Sequence, residues 1–479
     1  MKIKILLLFF LVFCLNFSCD KSKEQALIVK NQQNQNTKPN IIYILADDLG
    51  YGDLSCYGQT KFATPNIDNL ADKGMLFTQH YSGSTVCAPS RSSLMTGQHT
   101  GNTPIRGNKS TYMGQLPLPE NSFTIAELLK MNGYVTGAFG KWGLGCSSSE
   151  GDPLKQGFDF FFGYHDQKLA HHYYPYYLWD NNTIYTLKEN DGLNKGQYAP
   201  EIIHHKALSF IKSNKNQPFF LYYPTIIPHA ELFAPKTYME PFMGKFDYEI
   251  AFKGIDEGED YKKGRYGSQD YPRAAFAAMI TLLDDQVGDI INLLKELGIE
   301  DNTIIIFTSD NGPHKEGGAD PEYFDSNSIY RGYKRDLFEG GIRVPMLVKW
   351  PNKIKPGSKT NHVSAFWDVM PTIANIIDSK FALNTDGISF LPTLVDSGKQ
   401  ENHKYLYWEF HEKGGRQALR KDNFKLVAYG IKGNVNYQLF NLDTDPSERN
   451  NLAKEMPEKV KELKQIMTST RTESKDFQF

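Results

Sequence analysis

Two apolar runs lie far apart in this chain and end alike. Ile41-Ile42-Tyr43-Ile44-Leu45-Ala46 is followed by Asp47-Asp48, and Thr303-Ile304-Ile305-Ile306-Phe307-Thr308-Ser309 by Asp310-Asn311-Gly312. A continuous apolar run leaves a strand no water-facing side. Both runs therefore fit a sheet covered on both faces, the setting of parallel strands packed between helices. The fold class expected is α/β. In open sheets of that class, ligands bind outside the carboxyl ends of the strands. If both strands share one sheet, Asp47, Asp48, Asp310 and Asn311 meet on one rim. Three carboxylates there repel one another unless a cation sits between them. Ligands that are all oxygen favour a hard ion, Ca²⁺ or Mg²⁺. Taken singly, each acidic pair reads as an ordinary strand-to-loop turn.

A second constraint is Ser84-Thr85-Val86-Cys87-Ala88-Pro89-Ser90-Arg91-Ser92-Ser93-Leu94-Met95-Thr96-Gly97. Pro89 suits a first helical turn, where its missing N–H has no partner to lose. Cys87 then sits where a loop enters a helix. Orphan backbone N–H groups and the positive end of the dipole make that place an anion site. Arg91, one turn on, adds a fixed fork suited to tetrahedral oxyanions. Read as a thiol, Cys87 there suggests a nucleophile of low pKa; read plainly, it is a half-buried structural cysteine.

Two further strands end in polar groups. The stretch 134–139 leads into Gly140-Lys141-Trp142-Gly143, after a helix with a Thr124-to-Glu127 capping box and a Gly133 stop. Pro218-Phe219-Phe220-Leu221-Tyr222-Tyr223 leads to Pro228-His229. Alone, such a lysine is usually solvated and such a histidine structural. Later comes Lys334-Arg335-Asp336-Leu337-Phe338-Glu339-Gly340-Gly341-Ile342-Arg343-Val344-Pro345.

The motif Cys87-Ala88-Pro89-Ser90-Arg91 with Leu94-Met95-Thr96-Gly97 resembles the signature of type I sulfatases. The Lys334-to-Gly341 spacing resembles the segment of that family whose lysine contacts the substrate sulfate. The resemblance spans roughly residues 38–455 and implies an alkaline-phosphatase-like α/β fold: a large mixed sheet sandwiched by helices, with a small C-terminal α+β subdomain. It implies that Cys87 is oxidised to formylglycine by a formylglycine-generating enzyme, and that the hydrated aldehyde is the nucleophile. Ca²⁺ would be held by Asp47, Asp48, Asp310, Asn311 and the residue-87 oxygen. Arg91 and Lys141 would hold the hydrate and the ion-binding oxygens, and His229 and Lys334 would contact sulfate and protonate the leaving alcohol. Arg343 reads as structural. Many sulfatases have His after Gly-Lys-Trp, where this chain has Gly143. His314, three residues after Asn311, is the candidate to replace that base, with a solvent-facing loop histidine as the plain reading.

The remaining sequence sets the organisation. Lys2 and Lys4 precede an apolar run from Ile5 to Phe17, too short to span a bilayer and right for a signal-peptide core. Ser18-Cys19 resembles a bacterial lipobox, although Asn16 and Phe17 depart from it. The expected divisions are a lipoprotein-type signal at 1–19, a polar tether at 20–38, a catalytic domain at 39–400 and a C-terminal subdomain at 401–479. Export to the periplasm or outer surface is expected, with membrane contact only through lipid on Cys19. After cleavage Cys56, Cys87 and Cys146 remain, so there is no disulfide framework and at most a Cys56–Cys146 pair. A net charge of −2 argues against nucleic acid as a partner. The aromatic and histidine density of 157–182 suits either a sugar-binding wall or an irregular packed loop. Residues 234–270 read as a surface insertion, and 273–297 as a long amphipathic helix stopped by Gly298. The function expected is removal of sulfate from a sulfated saccharide. A phosphomonoester or phosphonate hydrolase of the same fold, or an inactive glycan-binding relative, are the alternatives.

Overall fold

The first apolar run forms β1 (Asn40–Ala46), buried along its whole length. The computed structural model describes residues 38–479, apart from 112–113 and 192–193. The expected signal segment, Cys19 and nearly all of the tether lie outside the described residues. Small hairpins and short helical turns apart, the chain continues α1 (Pro65–Lys73), β2 (Met75–Tyr81), α2 (Cys87–Thr96), α3 (Ile125–Met131), β3 (Val135–Lys141), β4 (Phe160–Tyr164), β5 (Tyr177–Asp180) and β6 (Thr183–Thr186). Then come α4 (Ala199–Asn214), β7 (Phe219–Pro224), α5 (Pro272–Glu296), β8 (Thr303–Ser309), β9 (Arg343–Lys349), β10 (Ser358–Thr360), β11 (Ser364–Ala365) and α6 (Val369–Ile376).

These strands make one eleven-stranded sheet in the order β10-β2-β9-β8-β1-β7-β3-β4-β5-β6, with β11 also paired to β2. The five central strands, β8 to β4, run parallel, and antiparallel pairs flank them. Side chains of β1 alternate between faces. Ile42, Ile44 and Ala46 enter a core with α1, α4 and α5, while Ile41, Tyr43 and Leu45 enter a second core with α2, α3 and α6. That two-sided burial is why the run carries no polar alternation. Ala46 pairs with Ser309, and Asp310 N–H donates to Ala46 O at 3.0 Å. The two acidic pairs thus leave adjacent parallel strands at the same height.

A second, four-stranded antiparallel sheet follows: β12 (Leu406–Phe410), β13 (Arg416–Lys421), β14 (Phe424–Tyr429) and β15 (Asn436–Asn441). One face of it shares a core with Leu337, Phe338, Ile342 and Trp367 of the main body. The other packs on α7 (Pro457–Ser469) through Leu463 and Met467. Residues 40–479 form one compact unit. Cys56 and Cys146 are free thiols, so the pairing left open by the sequence is not made. Among the described residues no helix is long and apolar enough to cross a membrane.

Candidate active site

The site lies at the carboxyl ends of β1, β8, β3 and β7. Helix α2 begins at Cys87, after an extended Val86, and ends at Gly97, whose φ of +66° suits the left-handed stop. Every residue of α2 is buried, including its serines and Arg91. Polar partners make that possible. Gly83 N–H donates to Ser90 Oγ at 3.1 Å, Ser92 Oγ meets Thr103 Oγ1 at 2.6 Å, and the orphan N–H of Ala88 donates to Asn108 Oδ1 at 3.0 Å. Cys87 Sγ lies 3.2 Å from Asp47 Oδ1 and 3.9 Å from Asp48 Oδ1.

Cations interleave with these acids. Arg91 donates to Asp310 Oδ2 through Nε at 3.1 Å and Nη2 at 2.9 Å, and its Nη1 donates to the Lys141 carbonyl. Lys141, the last residue of β3, places Nζ 2.7 Å from Asp47 Oδ2. Lys334 Nζ donates to Asp48 Oδ2 at 2.7 Å and to His229 Nε2 at 3.0 Å. His229 Nδ1–H donates to the Ala230 carbonyl, which fixes the tautomer and leaves Nε2 as the acceptor. The arrangement thus joins Asp47, Asp48, Cys87, Arg91, Lys141, His229, Asp310, Asn311 and Lys334, drawn from six separate stretches of sequence.

The electrostatics are those of packed, compensated charge. Burial pushes Asp47 upward, but Lys141, His229, Arg91 and Lys334 outweigh it and hold the carboxyl well below its ordinary range. Burial and the Asp47 charge raise Asp310 to about 7, against the pull of Arg91. His229 is held neutral, by burial first and the Lys334 charge second. The Cys87 thiol is pushed well up by burial, then by Asp310 and Asp47. That corrects the expectation of a low-pKa thiol: the helix end favours an anion, but the surrounding carboxylates and desolvation disfavour a thiolate more. Oxygens of Asp47 and Asp48, Cys87 Sγ and a His229 nitrogen all lie within 4.8 Å of one another, close enough to converge on one ion. Asn311 Oδ1 is buried with no hydrogen-bond donor. Buried acceptors without donors beside three carboxylates fit a hard cation.

His314 is buried, not solvent-facing, and its ring stacks on His229 at 5.6 Å. Its Nε2–H donates to Pro228 O at 3.2 Å, and its Nδ1 accepts from Glu316 N–H at 3.1 Å. Arg343 is structural, bonded to Glu339 and the Thr78 carbonyl. The aromatic stretch mostly packs inward: Phe161, Phe162, Tyr164 and Tyr173 are buried core residues. From it His171 reaches the site, stacked on His229 at 5.1 Å. Tyr266, from the 234–270 insertion, approaches the same ring at 6.3 Å. Glu316 and Arg335 complete this outer shell. Sequence reading missed both, because neither closes a strand nor stands in the recognised motif positions.

Comparison with known proteins agrees over nearly the whole described chain. The Sulfatase family model matches residues 39–379, and a model described as N-sulphoglucosamine sulphohydrolase, C-terminal, matches 330–473. The N-acetylgalactosamine-6-O-sulfatase of Bacteroides thetaiotaomicron is 32% identical, over 93% of this chain and 95% of that protein. The human N-acetylgalactosamine-6-sulfatase is 32% identical, over 77% of this chain and 68% of its own. Among solved structures, Ps i-CgsB in complex with k-i-k-neocarrahexaose aligns with a TM-score of 0.75 at 28% identity, covering 92% of this chain and 94% of that one. A phosphonate monoester hydrolase of Agrobacterium radiobacter shares the fold, with a TM-score of 0.64 at 21% identity over 90% and 95% of the two chains.

Proposed function

The chain belongs to the sulfatase family, and from that premise we propose that it removes sulfate from a sulfated saccharide, using formylglycine formed from Cys87 in a Ca²⁺-loaded site. The observation that carries the reading is the placement of Cys87: buried at the start of α2, in contact with Asp47 and Asp48, and ringed by Arg91, Lys141, His229 and Lys334. A thiol with a raised pKa is a poor nucleophile there. A hydroxyl at the same point is well placed.

Asp47, Asp48, Asp310, Asn311 and the residue-87 oxygen would hold Ca²⁺, which supplies charge neutralisation for the sulfate and a lower pKa for the hydroxyl. The remaining work falls to the chain itself. Lys141 and Arg91 keep Asp47 ionised, and Arg91 aligns Asp310 through two hydrogen bonds. Lys334 faces the sulfate position and donates a proton to the departing sugar oxygen, while His229, neutral and fixed by Ala230, holds the Lys334 ammonium in place. A general acid so positioned contributes roughly 10²–10⁴-fold. Formylglycine, once formed at residue 87 and hydrated, would supply one hydroxyl to attack sulfur as the sugar C–O–S bridge opens at sulfur, and a second hydroxyl whose proton loss would release sulfate as the aldehyde returns. A simple serine sulfate has no second hydroxyl and would need a further attack at sulfur. His314 is the candidate to accept that last proton, which requires it to give up its bond from Glu316 N–H.

The activities for which the relatives are named make N-acetylgalactosamine 6-sulfate the first saccharide to test. Export, lipidation of Cys19 and modification by a formylglycine-generating enzyme belong to the same proposal. The test joins two measurements on one preparation: the mass of the tryptic peptide bearing residue 87, and sulfate release from monosulfated saccharides against aryl phosphate. An aldehyde mass with sulfate release is expected. Full activity with an unmodified thiol, or a preference for phosphate, overturns the reading.

A further inference from the structure

Side-chain exposure rises in one direction out of the site. Asp47, Asp48, Lys141 and Arg91 are sealed, and Lys334 and His229 are each 3% exposed. Past Lys334, Glu316 is 22% and Arg335 32% exposed. Glu316 and Arg335 are thus partly exposed groups that border Lys334 on its outer side. His171 and Tyr266 face the His229 ring beside them.

Glu316 links the inner and outer cations. Its Oε2 lies 3.5 Å from Lys334 Nζ, and its Oε1 accepts from Arg335 Nη1. Glu316 is held ionised, down to about 2: burial opposes this, but the Lys334 charge first and the Arg335 charge beside it outweigh it. Arg335 is not a loose surface side chain. Its φ of +79° is uncommon for a residue with a Cβ. Its N–H donates to Thr85 O at 3.0 Å, two residues before Cys87. Its carbonyl accepts from Arg416 Nη1, and Arg416 is itself anchored 2.8 Å from Asp336 Oδ1. Backbone strain retained by bonds from both sides is the kind that accumulates at functional positions. Nη1 is committed to Glu316, while Nε and Nη2 donate to no protein group among the described residues.

We propose that Glu316 and Arg335 are the specificity-determining pair of this site: the free Arg335 N–H groups take hydroxyl oxygens of the sulfated sugar, and Glu316 turns away a sugar bearing a second anionic group beside the reacting sulfate. The inference rests on the saccharide-sulfatase reading above. A guanidinium already paired with a carboxylate is a neutral donor. It suits a polyol, whereas a second sulfate or a carboxylate would have to compete with Glu316 for the Arg335 guanidinium. Discrimination by repulsion as well as by fit is a general route to specificity.

The experiment uses the modified enzyme with three probes: N-acetylgalactosamine 6-sulfate, its 4,6-disulfate, and 4-nitrophenyl sulfate, which has no sugar hydroxyls. For Glu316→Gln the ratio of kcat/KM on disulfate to monosulfate is expected to rise about fivefold, one charge contact at a partly exposed site. For Arg335→Met, KM for the monosulfated sugar is expected to rise about tenfold more than KM for the aryl sulfate, with kcat moving less. Using ratios removes any general loss from disturbing Lys334. Both ratios within twofold of the parent overturn the pair. A parent that turns over the aryl sulfate and neither sugar overturns the saccharide reading, and the pair with it.

Discussion

Removing the Lys425 ammonium is expected to cost the fold about 3–5 kcal/mol at pH 8 and about 1 kcal/mol less at pH 5. Lys425 Nζ is wholly buried, 2.9 Å from Glu339 Oε1 and 3.0 Å from Glu448 Oε1. Glu339 also takes Tyr81 Oη at 2.6 Å and Arg343 Nη1 at 3.2 Å, and its N–H donates to Glu448 Oε2 at 2.5 Å. This cluster ties the segment just after Lys334 to the C-terminal sheet. At an effective dielectric of about 20, each Lys425 contact is worth roughly 5–6 kcal/mol of gross attraction. In Lys425→Met the ammonium no longer has to be desolvated, so the net loss is the smaller figure typical of one partner removed from a buried cluster. The pH term follows from Glu448. Burial first, then the Glu339 charge, raises it from 4.5 to about 7, with Lys425 opposing. A carboxyl raised in the fold favours folding at low pH, and that advantage is lost as pH climbs from the unfolded value to the folded one. Without Lys425 the folded value rises further; the first added unit costs about 1 kcal/mol at pH 8, where the total saturates at about 1.4 kcal/mol, and nothing at pH 5. Glu339, held at about 2 against burial by Lys425, Arg343 and Arg420, keeps two of those cations and stays ionised at both pH values. Urea unfolding followed by tryptophan fluorescence measures both numbers, since Trp408 packs on Tyr81 at 5.3 Å. A loss under about 1 kcal/mol at pH 8, or a larger loss at pH 5 than at pH 8, refutes the reasoning.

Three further outcomes are expected. Asp310→Ala should abolish sulfate release and also cost about 3–5 kcal/mol of stability, because it strips the buried Arg91 of the carboxylate that takes two of its hydrogen bonds; full activity after exhaustive chelation would remove the calcium assignment. Cys19→Ala should shift the protein from the membrane fraction to the soluble exported fraction, because several acyl chains anchor stably at about 0.8 kcal/mol per buried CH₂; unchanged fractionation would exclude that anchor. His314→Ala should slow turnover by about 10²-fold and let sulfated enzyme accumulate under substrate, which loss of the Pro228 bond alone would not produce; unchanged turnover would eliminate His314 as the base.

The inner site was legible because its residues close strands or open a helix, and those positions announce themselves. An all-apolar run can only be a doubly covered strand, so the acids after Ala46 and Ser309 had to reach one rim once β1 and β8 paired. The Cys87 helix start was readable from Pro89. What could not be read was how charges compensate. The same helix end that favours an anion is buried and ringed by Asp310 and Asp47, and it is the burial first and then those charges that raise the thiol. The outer shell was hidden for another reason. Glu316 and Tyr266 sit in loops without periodicity, and three-dimensional packing alone brings them beside Lys334 and His229; Arg335 adjoins Lys334 in sequence, but its pairing with Glu316 could not be read there. The aromatic stretch misled in the opposite sense. Its rings suit a sugar wall by composition, yet most are there to fill the cores on either side of β4.

The departure at Gly143 shows the two kinds of information meeting. In sequence it reads as a lost histidine. In the fold, position 143 has a φ of +74°, which favours glycine, and a Cβ there would lie 2.3 Å from Gln167 Nε2. That amide nitrogen is itself buried without a partner. Gln167 therefore occupies the space a side chain at 143 would need. A histidine returned to this position would carry the left-handed backbone cost of about 1–2 kcal/mol and would have to displace Gln167 as well. The change is thus not a single deletion that one substitution reverses. In this chain Gln167, from the loop after β4, fills that space, and the imidazole proposed as the base, His314, stacks on His229 elsewhere in the site at 5.6 Å.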